Sequence, residues 1–338
     1  MATGFVLNLL FLLSLFFASL GNAGHPAWEA GATTATAEWI HVDPSWDWPT
    51  WYRETIQYYF NSPASKERLS SDIRAAWQLW LAAGLPETFR FVEFPKWRCE
   101  QHPYSCLLIV GDGEVPSAYT SIGRQISQPW DAITMYLVFE PGEDEHSRAL
   151  IAAHEIGHAW GLIHEHQNPL YWQWAYYATR SDSLFRFYCA NVQGYDAVAH
   201  EINNTRELWG ENGPCRNSLR ASDMDFYASE ILPWAHRYQS PHHLWPQDSD
   251  VDWDSIMIYG SYLFGELDEH GNPKPTLLRM KDLQVIPDPD TVTDLDVVGL
   301  LHLYHPKFGK FLDVFHNEPS SPWYTIFQGK IKSCPIKT

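Results

Sequence analysis

Four of the chain's sixteen histidines fall within one short run, HEIGHAWGLIHEHQNP, from His154 to Pro169. An imidazole can sit on a surface, fill a polar pocket, switch with pH or hold a metal, and only metal binding makes demands on spacing. The run follows directly on SRALIAA, an apolar helix start, so one helix over Ser147–Trp160 is expected. On that helix His154 and His158 are i and i+4, stacked on one face a turn apart. Glu155 lies roughly 100° round from His154. It is thereby kept out of the ligand set yet within reach of a water at the metal. Two ligands and a general base on one helix form the HExxH arrangement.

A third ligand cannot come from the same unbroken helix, because His164 would lie roughly 15 Å along the axis and turned away. Gly161 resolves this. Glycine takes the left-handed conformation that ends helices, so the chain can turn back and bring His164 to the other two. Three neutral nitrogens leave the fourth position of one Zn²⁺ ion open to water, which is the catalytic rather than the structural arrangement. Zinc brings the pKa of such a water near ~7, and a carboxylate at Glu155 can take its proton during attack on a carbonyl. His166 exceeds this ligand count and suits a supporting or cleft-wall role.

The rest of the chain limits where such a site can work. A net charge of −18 leaves no basic stripe for phosphates, so no nucleic-acid partner is expected. MATGFVLNLLFLLSLFFASLGNAG opens the chain with an apolar core from Phe5 to Leu20, and Gly21 and Ala23 give a small-x-small cleavage pattern. No Lys or Arg precedes that core, a departure from the usual signal peptide. The expectation is residues 1–23 as a signal peptide and a secreted, extracellular product, with no membrane attachment after cleavage. All five cysteines follow the cut, and export permits disulfides. Cys99 with Cys106 and Cys189 with Cys215 are the simplest pairs; Cys334 is left over and can displace a partner in either. Asn203-Asn204-Thr205 is a glycosylation sequon suited to a surface loop.

Residues 24–50 read as an irregular leader. IQYYF, FRFVEF, CLLIVG and AITMYLVFE have strand character. SKERLSSDIRAAWQLWLAAG is helical in period, with Leu69, Ile73, Trp77 and Leu81 on one side and Gly84 as a stop. After the histidines the chain is loop-rich, with a helical piece over 291–304.

Downstream of the histidines lies DSIMIYG, with Met257 and Tyr259, and HExxHxxGxxH followed by a methionine turn is the metzincin signature. With Glu165 directly after the third histidine and Ser-Ile-Met-x-Tyr in the turn, the chain resembles the astacin family of secreted zinc endopeptidases. The resemblance takes in TIQYYF and its following helix, SAYTSIGRQ and TDLDVVGLLHLY, and spans about residues 51–305. It implies His154, His158 and His164 as zinc ligands and Glu155 as the base. Met257 would be the apolar floor under the metal. Tyr259 would be a resting ligand that swings to hydrogen-bond the oxyanion. Glu165 would sit in a buried polar network reaching toward the mature amino terminus, and an edge strand near Ser117–Arg124 would pair with an extended peptide. Ile258 stands where the family usually has histidine. The leader has neither a Phe-x-Gly-Asp latency motif nor a cysteine, so Asp43 or Asp47 could cap the zinc, or the enzyme is made active.

The expected fold is therefore α+β of the metzincin type. An upper twisted mixed sheet with two helices would stand over a loop-rich lower subdomain after Gly161, with zinc in the cleft between. Residues 51–305 would be the catalytic domain and 306–338 a carboxy-terminal extension of unknown role. The expected activity is a secreted zinc-dependent endopeptidase acting on protein or peptide substrates. One rival is a catalytically silent zincin that grips peptides; another is a copper oxidase with His25 as its amino terminus.

Overall fold

The computed structural model describes residues 50–111, 117–124, 133–168, 171–172, 183–233 and 247–305. The segment expected to be a signal peptide, nearly all of the expected leader with His25, Asp43 and Asp47, and the expected extension with Cys334 lie outside them. Among the described residues no helix is long and apolar enough to cross a membrane.

Alternating burial builds the upper half. Strands β1 (Thr55–Phe60), β2 (Arg90–Glu93), β3 (Leu107–Val110), β4 (Tyr119–Thr120) and β5 (Ile133–Tyr136) form one mixed sheet in the order β2-β1-β3-β5-β4. All pairings are parallel except β4 with β5, which leaves the two-residue β4 as an antiparallel edge. Leu107, Ile109, Ile133 and Met135 face one core with period two. Tyr59 packs with the Cys99–Cys106 disulfide in a separate small cluster, beside α2 (Lys96–Gln101).

Two long helices cover the sheet. Helix α1 (Pro63–Ala82) starts at Ser62, whose side chain accepts from the Ser65 N–H, with Pro63 at the first turn. Its buried face is Leu69, Ile73, Ala76 and Trp80, whereas Trp77 and Leu81 are only half-buried. A strict i+4 reading drifts about 40° per step, so the expected stripe leaves the true one after Ile73. Helix α3 (Glu145–Trp160) begins two residues before the expected Ser147, because Asp144 caps it by accepting from the N–H groups of His146 and Ser147. Trp80 ties the two helices by donating to the Ala153 carbonyl at 3.0 Å. Arg148 on α3 reaches the buried Asp72 on α1 at 3.2 Å.

Gly161 ends α3 with φ 111°, and Leu162 N–H reaches back to the Gly157 carbonyl at 3.0 Å. That pair of features is a Schellman stop. Beyond it the chain builds a second core around Trp172, Phe185, Phe226, Trp253 and Ile258. Short helices α4 (Tyr195–Ile202), α5 (Thr205–Leu208) and α6 (Ser218–Asp223) join a two-stranded pair, β6 (Phe185–Phe187) with β7 (Leu277–Arg279). The Cys189–Cys215 disulfide lies in this part, so both of the simplest pairings form. Helix α7 (Asp294–Tyr304) then returns to the upper core through Val297, Leu300 and Leu301. The α+β plan of an upper mixed sheet and a loop-rich lower part thus holds, with α7 as a third long helix of the upper half.

Candidate metal centre

Geometry at the three histidines follows from what holds their Nδ1 atoms. His154 Nδ1 lies 2.7 Å from the Ile256 carbonyl and His158 Nδ1 lies 2.9 Å from the Leu162 carbonyl. A carbonyl only accepts, so both Nδ1 atoms carry the proton and both Nε2 atoms keep a free lone pair. His164 Nδ1 lies 2.9 Å from Gln167 Oε1. The Gln167 amide nitrogen donates to the Ser229 and Leu232 carbonyls, which fixes its oxygen toward His164. His164 is therefore in the same tautomer.

Its Nε2 lies 3.0 Å from Nε2 of His158 and 3.2 Å from Nε2 of His154. Three lone pairs thus converge on one point with no proton between them, an arrangement that repels itself unless a cation fills it. Ligands about 2.0–2.1 Å from a tetrahedral ion stand about 3.3 Å apart, close to the observed separations. Burial first, then neighbouring imidazole charge, holds His158 at about 3, and burial holds His154 at about 4. His164 is pushed well below its ordinary value, again by burial first. All three are neutral near pH 7, as metal ligands must be. The residues fit a divalent metal.

His166 is wired the opposite way. Its Nε2 donates to the Glu230 carbonyl at 3.0 Å and its Nδ1 accepts from the Tyr259 N–H at 3.3 Å. Both nitrogens are engaged, so no lone pair is left for an ion. Its ring stacks on His164 at 17°. His166 is thus a support for the wall behind the cluster.

The methionine turn lies under the cluster. A side-chain carbon at Gly157 would meet Met257 Sδ at 2.5 Å, so only glycine lets the two segments approach this closely. Met257 carbonyl accepts from the Glu165 N–H at 2.9 Å, tying the turn to the segment that carries His164. Glu165 is buried, and its Oε1 accepts from Tyr171 hydroxyl at 3.0 Å and from the Asp252 N–H at 3.3 Å. Burial, then the charge of Asp252, raises its carboxyl well above the ordinary range. The expected polar network around Glu165 is present.

Glu155 is buried, and burial raises its carboxyl to about 7. Among the described residues its Oε2 has no hydrogen-bond partner of ordinary geometry, although the Thr120 hydroxyl on β4 eases the upward shift. Tyr259 is half-buried with its ring 4.1 Å from that of His164. Burial first, then the charges of Glu230 and Glu155, raise its phenol well above 10, so it stays protonated. These groups line one cleft of about 640 Å³, with β4 and its flanks (Ser117–Ile122) on one wall and the segment from Ser222 to Glu230 on another.

Each sequence-predicted site residue therefore falls in one place: His154, His158, His164, Glu155 and Tyr259 all line this cleft. Sequence reasoning passed over Gln167, Thr120, Glu230 and Asp296. Gln167 had a weak signal, being three residues from His164. Asp296 had only the signature of a helix start, Thr293-x-x-Asp296 ahead of an apolar run; its carboxylate accepts from Ser255 Oγ at 2.6 Å and from the Ile256 N–H at 3.0 Å, and so holds the residue whose carbonyl orients His154.

No protein-family model and no curated protein matches the chain. Among solved structures it is similar to high choriolytic enzyme 1, a hatching enzyme zinc-protease from Oryzias latipes (Medaka fish). That likeness has 16% identity and a TM-score of 0.43, over 76% of this chain and 93% of that one. It is also similar to myroilysin, at 16% identity and a TM-score of 0.40, over 76% of this chain and 95% of that one.

Proposed function

We propose that the chain is a secreted zinc-dependent endopeptidase whose catalytic domain spans about residues 51–305, with residues 1–23 as the signal peptide. The observation that carries this reading is the convergence of three Nε2 lone pairs in a cleft also lined by Glu155, whose buried carboxylate oxygen has no partner among the described residues. His154, His158 and His164 would hold one zinc ion. When bound, zinc supplies Lewis acidity, both for a carbonyl oxygen and for an attacking water. Glu155 accepts the proton of that water at its carboxylate and returns it to the leaving amine. Tyr259 donates its phenolic proton in a hydrogen bond to the oxygen that gains negative charge. Among the described residues β4 is an edge strand of the sheet, and its outer edge would take up an extended peptide as an added strand. Residues 24–50 would be a leader or pro-segment, and residues 306–338 an extension.

The test couples metal content to turnover. Protein purified without chelator is expected to carry one zinc per chain by elemental analysis and to lose it to chelator. Glu155→Gln is expected to keep that zinc while peptide hydrolysis falls at least ~10²-fold. Absence of stoichiometric zinc would overturn the metal reading. Zinc and peptide binding without turnover in the unaltered chain would return it to the silent peptide-binding reading.

A further inference from the structure

The cleft holds a second polar centre that hydrolysis as described does not use. Its far wall carries Asp225 and Glu230, together with Tyr227 and Phe264, whose rings stack 4.9 Å apart at 14°. Glu230 is anchored by its backbone, since its carbonyl accepts His166 Nε2–H. Ser229 Oγ donates to Glu230 Oε1 at 3.2 Å. The carboxylate itself stays open to the cleft. It lines the cleft together with Tyr119 of β4 and Tyr259 of the methionine turn. Neither lysine nor arginine lines the cleft among the described residues, and no described cation pairs with Glu230 or Asp225. Among the described residues the ligand atoms that converge for the metal are those of the three imidazoles, and Glu230 is not one of them.

We propose that this wall selects a basic side chain of the peptide substrate, arginine before lysine, at a residue flanking the cleaved bond; the inference rests on the endopeptidase reading and names its substrate class. The chemistry of the two halves of the wall matches the two halves of that side chain. The exposed ring of Tyr227, backed by the half-buried Phe264, can accept an aliphatic stem and stack on a guanidinium. Carboxylates without a cation of their own accept its N–H groups in charge-assisted bonds. An acidic residue at the same position meets two like charges in a partly enclosed cleft, so the wall discriminates by repulsion as well as attraction.

The experiment uses the zinc-loaded full chain and quenched peptides that differ at one residue, which is arginine, citrulline or glutamate. That residue is placed in turn at each of three positions on either side of the bond. Citrulline keeps the shape of arginine and removes its charge. At one position kcat/KM for arginine is expected to exceed that for citrulline at least about tenfold, with glutamate lowest. Glu230→Gln is expected to bring the arginine-to-citrulline ratio below about threefold, and Asp225→Asn to lower it in the same direction. A second arm reads binding without turnover: fluorescence anisotropy of the arginine and citrulline peptides carrying a reduced, uncleavable bond. It should give the same Glu230-dependent ratio in Kd. Near-ultraviolet circular dichroism checks that each variant is folded, and Asp225→Asn carries the test if Glu230→Gln is not. Equal cleavage of arginine and citrulline peptides at every position, or a ratio that survives in the variants, overturns the inference while the endopeptidase reading stands. If no peptide is cleaved, that reading fails, and the binding arm alone decides whether the wall recognises a cation.

Discussion

Gln167 holds the ring of His164: its Oε1 accepts from Nδ1 at 2.9 Å, while its amide nitrogen is tied to two backbone carbonyls more than sixty residues downstream. The carboxamide cannot rotate without losing both of those bonds, so His164 has one tautomer and one orientation. Removing such a support typically costs a metal site 10–100-fold in affinity. Gln167→Ala is therefore expected to raise the zinc dissociation constant by about that factor, measured by competition with a chromophoric chelator. An unchanged constant would show that His164 is oriented by packing alone.

Tyr259 should act on the rate and not on affinity. Its phenol stays protonated under the charges of Glu230 and Glu155, so it remains a donor through the neutral range. Tyr259→Phe is expected to lower kcat by roughly 10–10³-fold and to change KM by less than about threefold. Single-turnover kinetics reads the chemical step directly, and an unaltered step would reduce Tyr259 to a packing residue.

Gly157 sits inside α3, where alanine ordinarily gains about 1 kcal/mol over glycine. Here the added carbon would lie 2.5 Å from Met257 Sδ. Overpacking of this kind costs about 1–3 kcal/mol, which outweighs the helical gain. Gly157→Ala is expected to lower the melting temperature and to displace the methionine turn. The same change in a Met257→Ala background should lose most of its cost. Equal costs in both backgrounds would disprove the close approach.

Asp296 gives a pH-dependent stability with a definite sign. Burial raises its carboxyl from 3.8 to about 6 in the folded chain. Between those values the folded state binds more protons than the unfolded one, so stability falls as pH rises through about 4 to 6. Asp296→Asn lacks the titration and also misplaces one acceptor among the donors from Ser255, Ile256 and Thr293. Its deficit against the unaltered chain is expected to be largest near pH 4 and to shrink by up to about 3 kcal/mol by pH 7. Denaturant titrations at the two pH values measure this; a constant deficit would mean that Asp296 is ionised throughout.

Much of the site was legible because its information is local. The i, i+4 spacing of His154 and His158 sets two imidazoles on one face of any helix they share. Gly161 is the residue type that ends a helix in the left-handed region, and it does so at φ 111°. The two short-range cysteine pairs close as the nearest options. Tertiary structure decided what orients these groups. The acceptor for His154 is the backbone carbonyl of Ile256, 102 residues away. Every residue has such a carbonyl, so no residue type marks the one that will be used. Packing likewise chose Trp80 over Trp77 for the buried face of α1, because a real helix turns 100° per residue and drifts off an i+4 row. Spacing along the chain thus determined which side chains can meet a metal. Local partners, Leu162 and Gln167, turn the rings of His158 and His164, but only the folding of distant segments determined which nitrogen of His154 faces the metal, what holds the Gln167 amide, and which charges, Glu230 among them, share the cleft.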